Sequence, residues 1–300
     1  MTKLMCLADL HLTEKKPHCR PDDEDWSGTV KRKLRWMSEL AMSEQVDAVV
    51  IAGDIFDSVN RCSHEFMVLV LQELRNLANH TGAILAIPGN HDLVNADSDR
   101  IHQSPYGVLL ASGVITPVSA CGFGHMPYGA TEYRNSRCSI VVGHYGLWYK
   151  QKPYTGAPDA GNVEWFVQNR LHDKCRLFIT GHYHVPFVAK VKDTVVVNCG
   201  CPFRMRADLI DYKPTVTIAN VSKSEVSVTI HDIPLDCKIR RDYIDIKKER
   251  DAALDDMVGN IEGDFEVGFN FKDNFYKLSN ECENKDNINK EFERCVNGYY

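Results

Sequence analysis

Apolar, strand-like runs alternate with helix-like stretches through the first 200 residues, and this alternation is the feature that most limits the fold. Strand patterns occur at residues 4–8, 48–52 and 83–87. Between them, apolar residues recur at helical spacing over residues 29–45 and 65–79. Because strands that alternate with helices form parallel or mixed sheets covered on both faces, we predict an α/β fold.

The later part of the chain is richer in short strands. Strand patterns separated by turns occur at residues 139–142, 177–180, 187–190, 195–198, 216–219 and 226–230. We therefore expect two packed mixed β-sheets flanked by helices over residues 1–246. The composition of residues 247–300 is rich in Lys, Glu, Asp and Asn, which predicts a small C-terminal appendage with helices at 249–258 and 290–296 and a strand at 266–271.

Five short polar motifs follow apolar runs. They are Asp9-Leu10-His11, Gly53-Asp54-Ile55-Phe56-Asp57, Gly89-Asn90-His91-Asp92, Gly143-His144 and Gly181-His182-Tyr183-His184. Ligands of open α/β sheets gather at the carboxyl ends of strands, where such motifs would meet. Asp-x-His is common and Gly-Asp is usually a turn, and the rarer Gly-Asn-His-Asp could merely cap a helix, but all five motifs in this order favour one shared site.

The residue types in these motifs are those of a metal centre. On an extended segment residues two apart face the same way, so Asp9 and His11 would share a side, and the pair at 182 and 184 repeats that spacing. Carboxylate, amide and imidazole ligands together suit Mn, Fe or Zn better than Ca or Mg. The sequence therefore predicts metal-assisted cleavage of a phosphate ester.

The order and spacing of the motifs resemble the calcineurin-like metallophosphoesterase superfamily over roughly residues 3–200, whose fold is a four-layer sandwich. The resemblance implies two divalent metal ions, Mn²⁺ first, with Fe, Zn or Mg as alternatives. One metal would take Asp9, His11, Asp54 and His184, and the other would take Asp54, Asn90, His144 and His182. His91 would face the substrate phosphate as an acid, and the Asp57 carboxylate would orient His91.

Four phrases are similar to one branch of that superfamily, the SbcD-type DNA repair exonuclease subunit. They span residues 52–58, 87–92, 180–184 and 198–204. The resemblance reaches about residue 246 and implies manganese-dependent exonuclease and endonuclease activity on DNA, an SbcC-type ABC ATPase partner and a homodimer. Arg204 and Arg206, which follow the metal-site loops, are predicted substrate contacts. The tail is shorter than the family's DNA-facing cap, so we expect a cap-reduced version, with a phage-type protein as one option.

Composition adds limits on partners and location. The net charge of −6 gives no general attraction to nucleic acid, so DNA binding would need local basic groups or the metals themselves. A long loop at residues 13–28 carries several acidic side chains, which would repel a phosphate backbone lying across it. We expect no secretion signal and no membrane span, and the 11 scattered cysteines predict reduced thiols in a cytoplasmic protein.

Two other functions stay open at this point. One is a small-molecule or cyclic-nucleotide phosphodiesterase or phosphatase on the same fold, which the short tail favours. The other is a non-catalytic DNA-repair binding subunit. The complete ligand set together with His91 argues against that subunit, because a scaffold needs neither.

Overall fold

The structure, a computed structural model, describes residues 2–60, 62–130, 138–152, 158–222, 225–235 and 237–240. The predicted appendage at 247–300, with its helices and strand, lies outside the described residues. The boundary at residue 246 therefore stays a prediction. Within the described ranges, no helix is both long enough and apolar enough to cross a membrane.

The strand and helix pattern expected from the sequence is confirmed, with small shifts of the ends. The strands are β1 Thr2–Leu7, β2 Ala48–Ala52, β3 Ile84–Ile87, β4 Thr116–Pro117, β5 Gly124–Met126, β6 Ile140–His144, β7 Leu177–Gly181, β8 Phe187–Val191, β9 Thr194–Asn198, β10 Thr215–Val221 and β11 Val226–Asp232. The α-helices are α1 Trp26–Ser43, α2 His64–Asn79, α3 Pro105–Ala111 and α4 Val163–Arg170.

Local capping explains two differences from the sequence pattern: helix α1 starts earlier than predicted, and helices α3 and α4 were not predicted. Helix α1 begins at Trp26 rather than at residue 29, because the Asp25 side chain accepts the backbone N–H of Gly28 and fixes the first turn. Helices α3 and α4 are set by caps at Ser104 and Asn162. With only seven and eight residues, they show too few turns for a clear apolar period.

The described strands form two mixed sheets. The first has the order β11-β10-β1-β2-β3-β4, in which β1 to β4 run parallel and β10 returns antiparallel to β1. The second has the order β5-β6-β7-β9-β8, in which only β8 is antiparallel. The parallel strands of each sheet therefore send their carboxyl ends to one edge.

Alternation along the strands divides the buried apolar residues among three cores: one between the first sheet and its helices, one between the two sheets, and one between the second sheet and α4. Met5 and Leu7 of β1 face α1 and α2, whereas Leu4 and Cys6 face the second sheet. Phe178 of β7 lies on the outer face of that sheet, against α4. The result is a helix–sheet–sheet–helix arrangement, which confirms the four layers expected from the resemblance.

Candidate metal centre

The five motifs meet at the carboxyl ends of the parallel strands. On the first sheet, Asp9 and His11 follow β1, Asp54 follows β2, and Asn90 and His91 follow β3. On the second sheet, His144 ends β6, and His182 and His184 follow β7. Each sheet therefore supplies part of one site, and the packing of the sheets assembles it.

The backbone at several of these residues is left-handed rather than extended. The φ angles are 49° at Asp9, 44° at His11, 52° at Asp54 and 78° at His182. Such angles are costly for residues with a Cβ atom and cluster at functional sites. The expectation that each Asp-x-His or His-x-His segment is extended is wrong here, because the chain turns at these residues.

Glycines allow the strand ends to approach one another. A Cβ atom at Gly181 would lie 2.5 Å from Ala8 Cβ and 2.9 Å from the Ala52 carbonyl oxygen. Gly53 has a φ of +90°, and a Cβ there would lie 2.3 Å from His144 Nδ1. Larger residues at these two positions would push the two sheets apart at the site.

One candidate ligand group contains Asp9, His11 and His184, whose ligand atoms lie within 4.8 Å of one another. The Nε2 atoms of His11 and His184 are 3.1 Å apart. Both oxygens of Asp9 accept the backbone N–H of His182 at 2.9 Å, which fixes the carboxylate against the second sheet. Asp9 and His11 are buried, and His184 is partly exposed.

A second candidate group contains Asp54, His144 and His182, also within 4.8 Å of one another. The Asn90 side-chain oxygen joins it, at 2.9 Å from His182 Nδ1 and 3.1 Å from His144 Nε2. Asp54 Oδ2 lies 3.3 Å from His144 Nε2 and 3.8 Å from His11 Nε2. Asp54 therefore stands between the two groups, in the position of a shared ligand.

The electrostatics keep two of the imidazoles neutral. Burial and the neighbouring His144 lower the pKa of His182 to about 4, and burial and His11 lower that of His184 to about 3. Burial also disfavours a charged His144, but the hydrogen bond to Asp54 outweighs it and raises the pKa to about 9. Neutral imidazoles are the form that binds metals.

The carboxylates are affected in opposite ways. Burial raises the pKa of Asp9 to about 6. Burial also tends to raise the pKa of Asp54. The hydrogen bond and the charge of His144 outweigh burial and bring the pKa of Asp54 well below the usual value. Asp54 is thus the carboxylate held as an anion between the two groups.

The arrangement fits divalent cations. The Nε2 atoms of His11 and His184 lie 3.1 Å apart, and one ligand atom each of Asp9, His11 and His184 lie within 4.8 Å of one another. When neither Nε2 atom carries a hydrogen, a cation can bind both lone pairs together with the Asp9 carboxylate. The combined donors are carboxylate oxygens, an amide oxygen and imidazole nitrogens, which suit borderline ions such as Mn, Fe or Zn.

The His91 ring is oriented by the main chain of Asp57, and not by the Asp57 carboxylate as the resemblance implied. The His91 Nδ1 atom lies 2.7 Å from the Asp57 carbonyl oxygen, so Nδ1 carries the hydrogen and donates it. The Asp57 carboxylate instead lies 3.5 Å from His11 Nδ1. The backbone N–H of His91 donates to Asp54 Oδ1 at 2.8 Å. Asp57 therefore orients His91 through its main chain and His11 through its side chain.

Two buried polar residues hold the ligand loops, and neither was singled out from the sequence. The Asp92 carboxylate, 1% exposed, accepts the N–H groups of Ile55, Phe56 and Gly89. Asn198 donates to the carbonyl oxygens of Tyr183 and Val185 at 2.6 and 2.7 Å. The Asn-His-Asp motif contained a signal for Asp92, but nothing near residue 198 pointed to the loop it holds.

The two arginines predicted as substrate contacts are in different surroundings. Arg206 lines the cleft beside His91 and His184. Arg204 is only 4% exposed, donates to the Cys237 carbonyl oxygen at 2.7 Å, and lines another cavity with Lys238. The substrate contact of Arg204 stays a prediction, while its guanidinium bonds the segment after β11.

A scan against family models matches residues 2–186 to the calcineurin-like phosphoesterase model. The chain is 23% identical over 288 residues to the DNA double-strand break repair protein Mre11 of Sulfolobus acidocaldarius, covering 88% of this chain and 69% of the relative. It is 22% identical to the protein of that name from Sulfurisphaera tokodaii, over 84% of this chain and 65% of the relative. The chain thus spans about two thirds of the length of these relatives.

A second kind of relative is a probable cyclic nucleotide phosphodiesterase of Coxiella burnetii. It is 32% identical over 213 residues, which cover 64% of this chain and 80% of the relative. Among solved structures, an archaeal phosphodiesterase aligns over 77% of this chain and 100% of its own, at 16% identity and a TM-score of 0.41.

Proposed function

The chain belongs to the calcineurin-like phosphoesterase family, and on this basis we propose that it is a dinuclear-metal phosphodiesterase that hydrolyses DNA. The observation that carries the proposal is the pair of ligand groups on either side of Asp54, with His91 beside them. Similarity to Mre11, named as a DNA double-strand break repair protein, extends over 88% of the chain and supports DNA as substrate and partner.

In this proposal, Asp9, His11, Asp54 and His184 hold one cation, and Asp54, Asn90, His144 and His182 hold the other. We take Mn²⁺ as the ion. Two bound cations lower the pKa of a coordinated water and neutralise charge on the reacting phosphate. An SbcC-type ABC ATPase and a second copy of this chain are further partners, which rest on the resemblance alone.

His91 supplies the acid in this scheme. The Asp57 carbonyl occupies its Nδ1 atom, which leaves Nε2 as the nitrogen available to a substrate. A protonated His91 would donate from Nε2 to the departing alkoxide oxygen. Arg206, in the same cleft, would attract the anionic substrate.

A cyclic-nucleotide phosphodiesterase is the second candidate. The Coxiella relative favours it, because the chain covers 80% of that protein at 32% identity. The ligand groups and His91 would serve both reactions equally, so the substrate has to be tested directly.

The test is manganese-dependent hydrolysis of end-labelled single- and double-stranded DNA, beside bis-p-nitrophenyl phosphate and 3′,5′-cyclic AMP. We expect DNA cleavage, and we expect His91→Ala to retain both metals while turnover falls by about 10²–10⁴-fold, the usual contribution of a general acid. The matched control is His172→Ala, an exposed histidine outside the ligand groups. Cleavage of cyclic AMP with intact DNA would favour the second candidate, and loss of metal in His91→Ala would make that residue a ligand.

A further inference from the structure

The cleft over the candidate metal centre has two lobes that share His91, His184 and Arg206. One lobe, about 550 Å³, includes Asp54, Asn90 and Tyr183. The other, about 370 Å³, extends past His11 to the loop that follows β1. Any substrate phosphate held at the shared residues therefore has room for a continuing chain on both sides.

The second lobe has a basic wall. Lys15, Lys16 and His18 line it, and all three are exposed. Arg206 faces the same space. Among the described residues lining this lobe, Asp57 alone is acidic, and its carboxylate is directed at His11 Nδ1, 3.5 Å away. The lobe is thus an anion-attracting surface beside the site of reaction.

The loop that carries these side chains is fixed to the rest of the domain. Arg20 is fully buried, and it bonds the Asp23 carboxylate at 3.0 Å and the Phe203 carbonyl oxygen at 3.0 Å. The Trp26 indole N–H donates to the Thr13 carbonyl oxygen at 2.7 Å. The lysines therefore lie on a wall that is built into the fold, with the Lys16 ammonium donating one hydrogen bond to the Pro21 carbonyl oxygen at 2.8 Å.

Three of the five acidic residues of the same loop are engaged elsewhere, which reduces the repulsion expected from the sequence. Asp23 pairs with the buried Arg20, and Asp22 lies 3.3 Å from the Arg240 guanidinium. Asp25 caps α1 and contacts Arg32. The loop therefore uses these three carboxylates in its own support and presents cations to the cleft.

We infer that Lys15 and Lys16 form a subsite for the phosphate next to the scissile one in a nucleic-acid strand. The inference rests on the proposed phosphodiesterase function and narrows its substrate class. A polynucleotide carries such a second phosphate within one linkage of the first, whereas a cyclic nucleotide carries only one phosphate. The basic lobe is therefore a feature that distinguishes a polynucleotide substrate from a mononucleotide.

The test is the double variant Lys15→Gln/Lys16→Gln, which removes two charges and keeps side-chain length. The matched control is Lys174→Gln/Lys190→Gln, two exposed lysines outside both lobes. Three substrates are compared: a thymidine oligonucleotide, a thymidine dinucleotide with one phosphate, and bis-p-nitrophenyl phosphate. Anisotropy of a fluorescein-labelled oligonucleotide gives a binding readout that does not depend on turnover.

We expect the double variant to raise KM and Kd for the oligonucleotide about tenfold near 0.1 M salt. We also expect a shallower salt dependence of log Kd, by about one to two units of slope. Hydrolysis of the two single-phosphate substrates should be unchanged. Unchanged oligonucleotide affinity, or an equal loss on all substrates, would overturn the subsite. Failure of the unaltered protein to hydrolyse any ester would instead overturn the proposed function, while the anisotropy result would still decide the subsite.

Discussion

The two sheets bring different chemistry to one site. The first sheet supplies the oxygen donors, from Asp9, Asp54 and Asn90, and the His11 imidazole as a proposed ligand beside the acid His91. The second sheet supplies imidazoles alone, from His144, His182 and His184. Neither half contains the whole proposed ligand set, so metal binding would depend on the packing of one sheet against the other.

The ligand loops of the two halves are supported by hydrogen bonds of opposite direction: a side chain accepts them in the first half and donates them in the second. On the first sheet the buried Asp92 carboxylate accepts hydrogen bonds from three buried residues. On the second sheet the buried Asn198 amide donates to carbonyl groups of Tyr183 and Val185, which are partly exposed and exposed. Water can replace Asn198 at those carbonyl groups, but it cannot readily reach the N–H groups around Asp92. We therefore expect the first half to be the more sensitive to loss of its support.

The largest effect is expected from Asp54→Asn, which removes the anion between the halves. Asp54 is the partner that raises the pKa of His144, and it lies within 4 Å of a nitrogen of His11. We expect both metals and ester hydrolysis to be lost. Manganese stoichiometry and cleavage of bis-p-nitrophenyl phosphate are the measurements, with Asp193→Asn, an exposed carboxylate beside Arg176, as control. If the variant still bound two manganese ions, Asp54 would not be the ligand that the two metals share.

Asp92→Asn tests the support of the first half. An amide presents one oxygen and an NH₂ group to the N–H groups of Ile55, Phe56 and Gly89, so at least one buried donor loses its acceptor. We expect the free energy of unfolding to fall by about 1–3 kcal/mol. Manganese affinity should fall about 10–100-fold. Denaturant titration and calorimetry measure these changes against Asp193→Asn. Normal stability and affinity would show that this carboxylate does not hold the two loops.

Much of this comparison follows from the sequence, because apolar runs and side-chain motifs are local signals. The strands behind Asp9, Asp54 and His182 were predicted within a few residues, and the motif residues do converge. The left-handed backbone at Asp9 and His182 was not predictable, because it depends on how the sheets meet.

Contacts made by backbone atoms were also not predictable from the sequence. The family resemblance implied that the Asp57 carboxylate orients His91, whereas the Asp57 carbonyl oxygen accepts the His91 Nδ1 hydrogen. Every residue carries such a carbonyl group, so residue type gives no signal for this role. Likewise, Asn198 lies 13 residues or more along the chain from the loop that it holds, and no spacing rule connects them.

The smallest effect is expected from Asn198→Ala, which tests the support of the second half. The variant removes two donors from carbonyl groups that water can reach, so we expect unfolding to become easier by no more than about 1.5 kcal/mol. We expect manganese affinity to fall about tenfold, because the loop bearing His182 and His184 loses its fixed backbone. Calorimetric titration measures the affinity, with Asn169→Ala on the exposed face of α4 as control.

Asn198→Asp separates a positioning role from simple packing. This variant keeps the shape of the side chain but sets a carboxylate oxygen against the carbonyl oxygens of Tyr183 and Val185. If Asn198 positions the loop, metal affinity in Asn198→Asp should fall below that of Asn198→Ala. If both variants lose stability while their manganese affinity is unchanged, Asn198 serves the core alone. The second half of the site would then be held by the His182 and Asp9 contact across the sheets rather than by its own support.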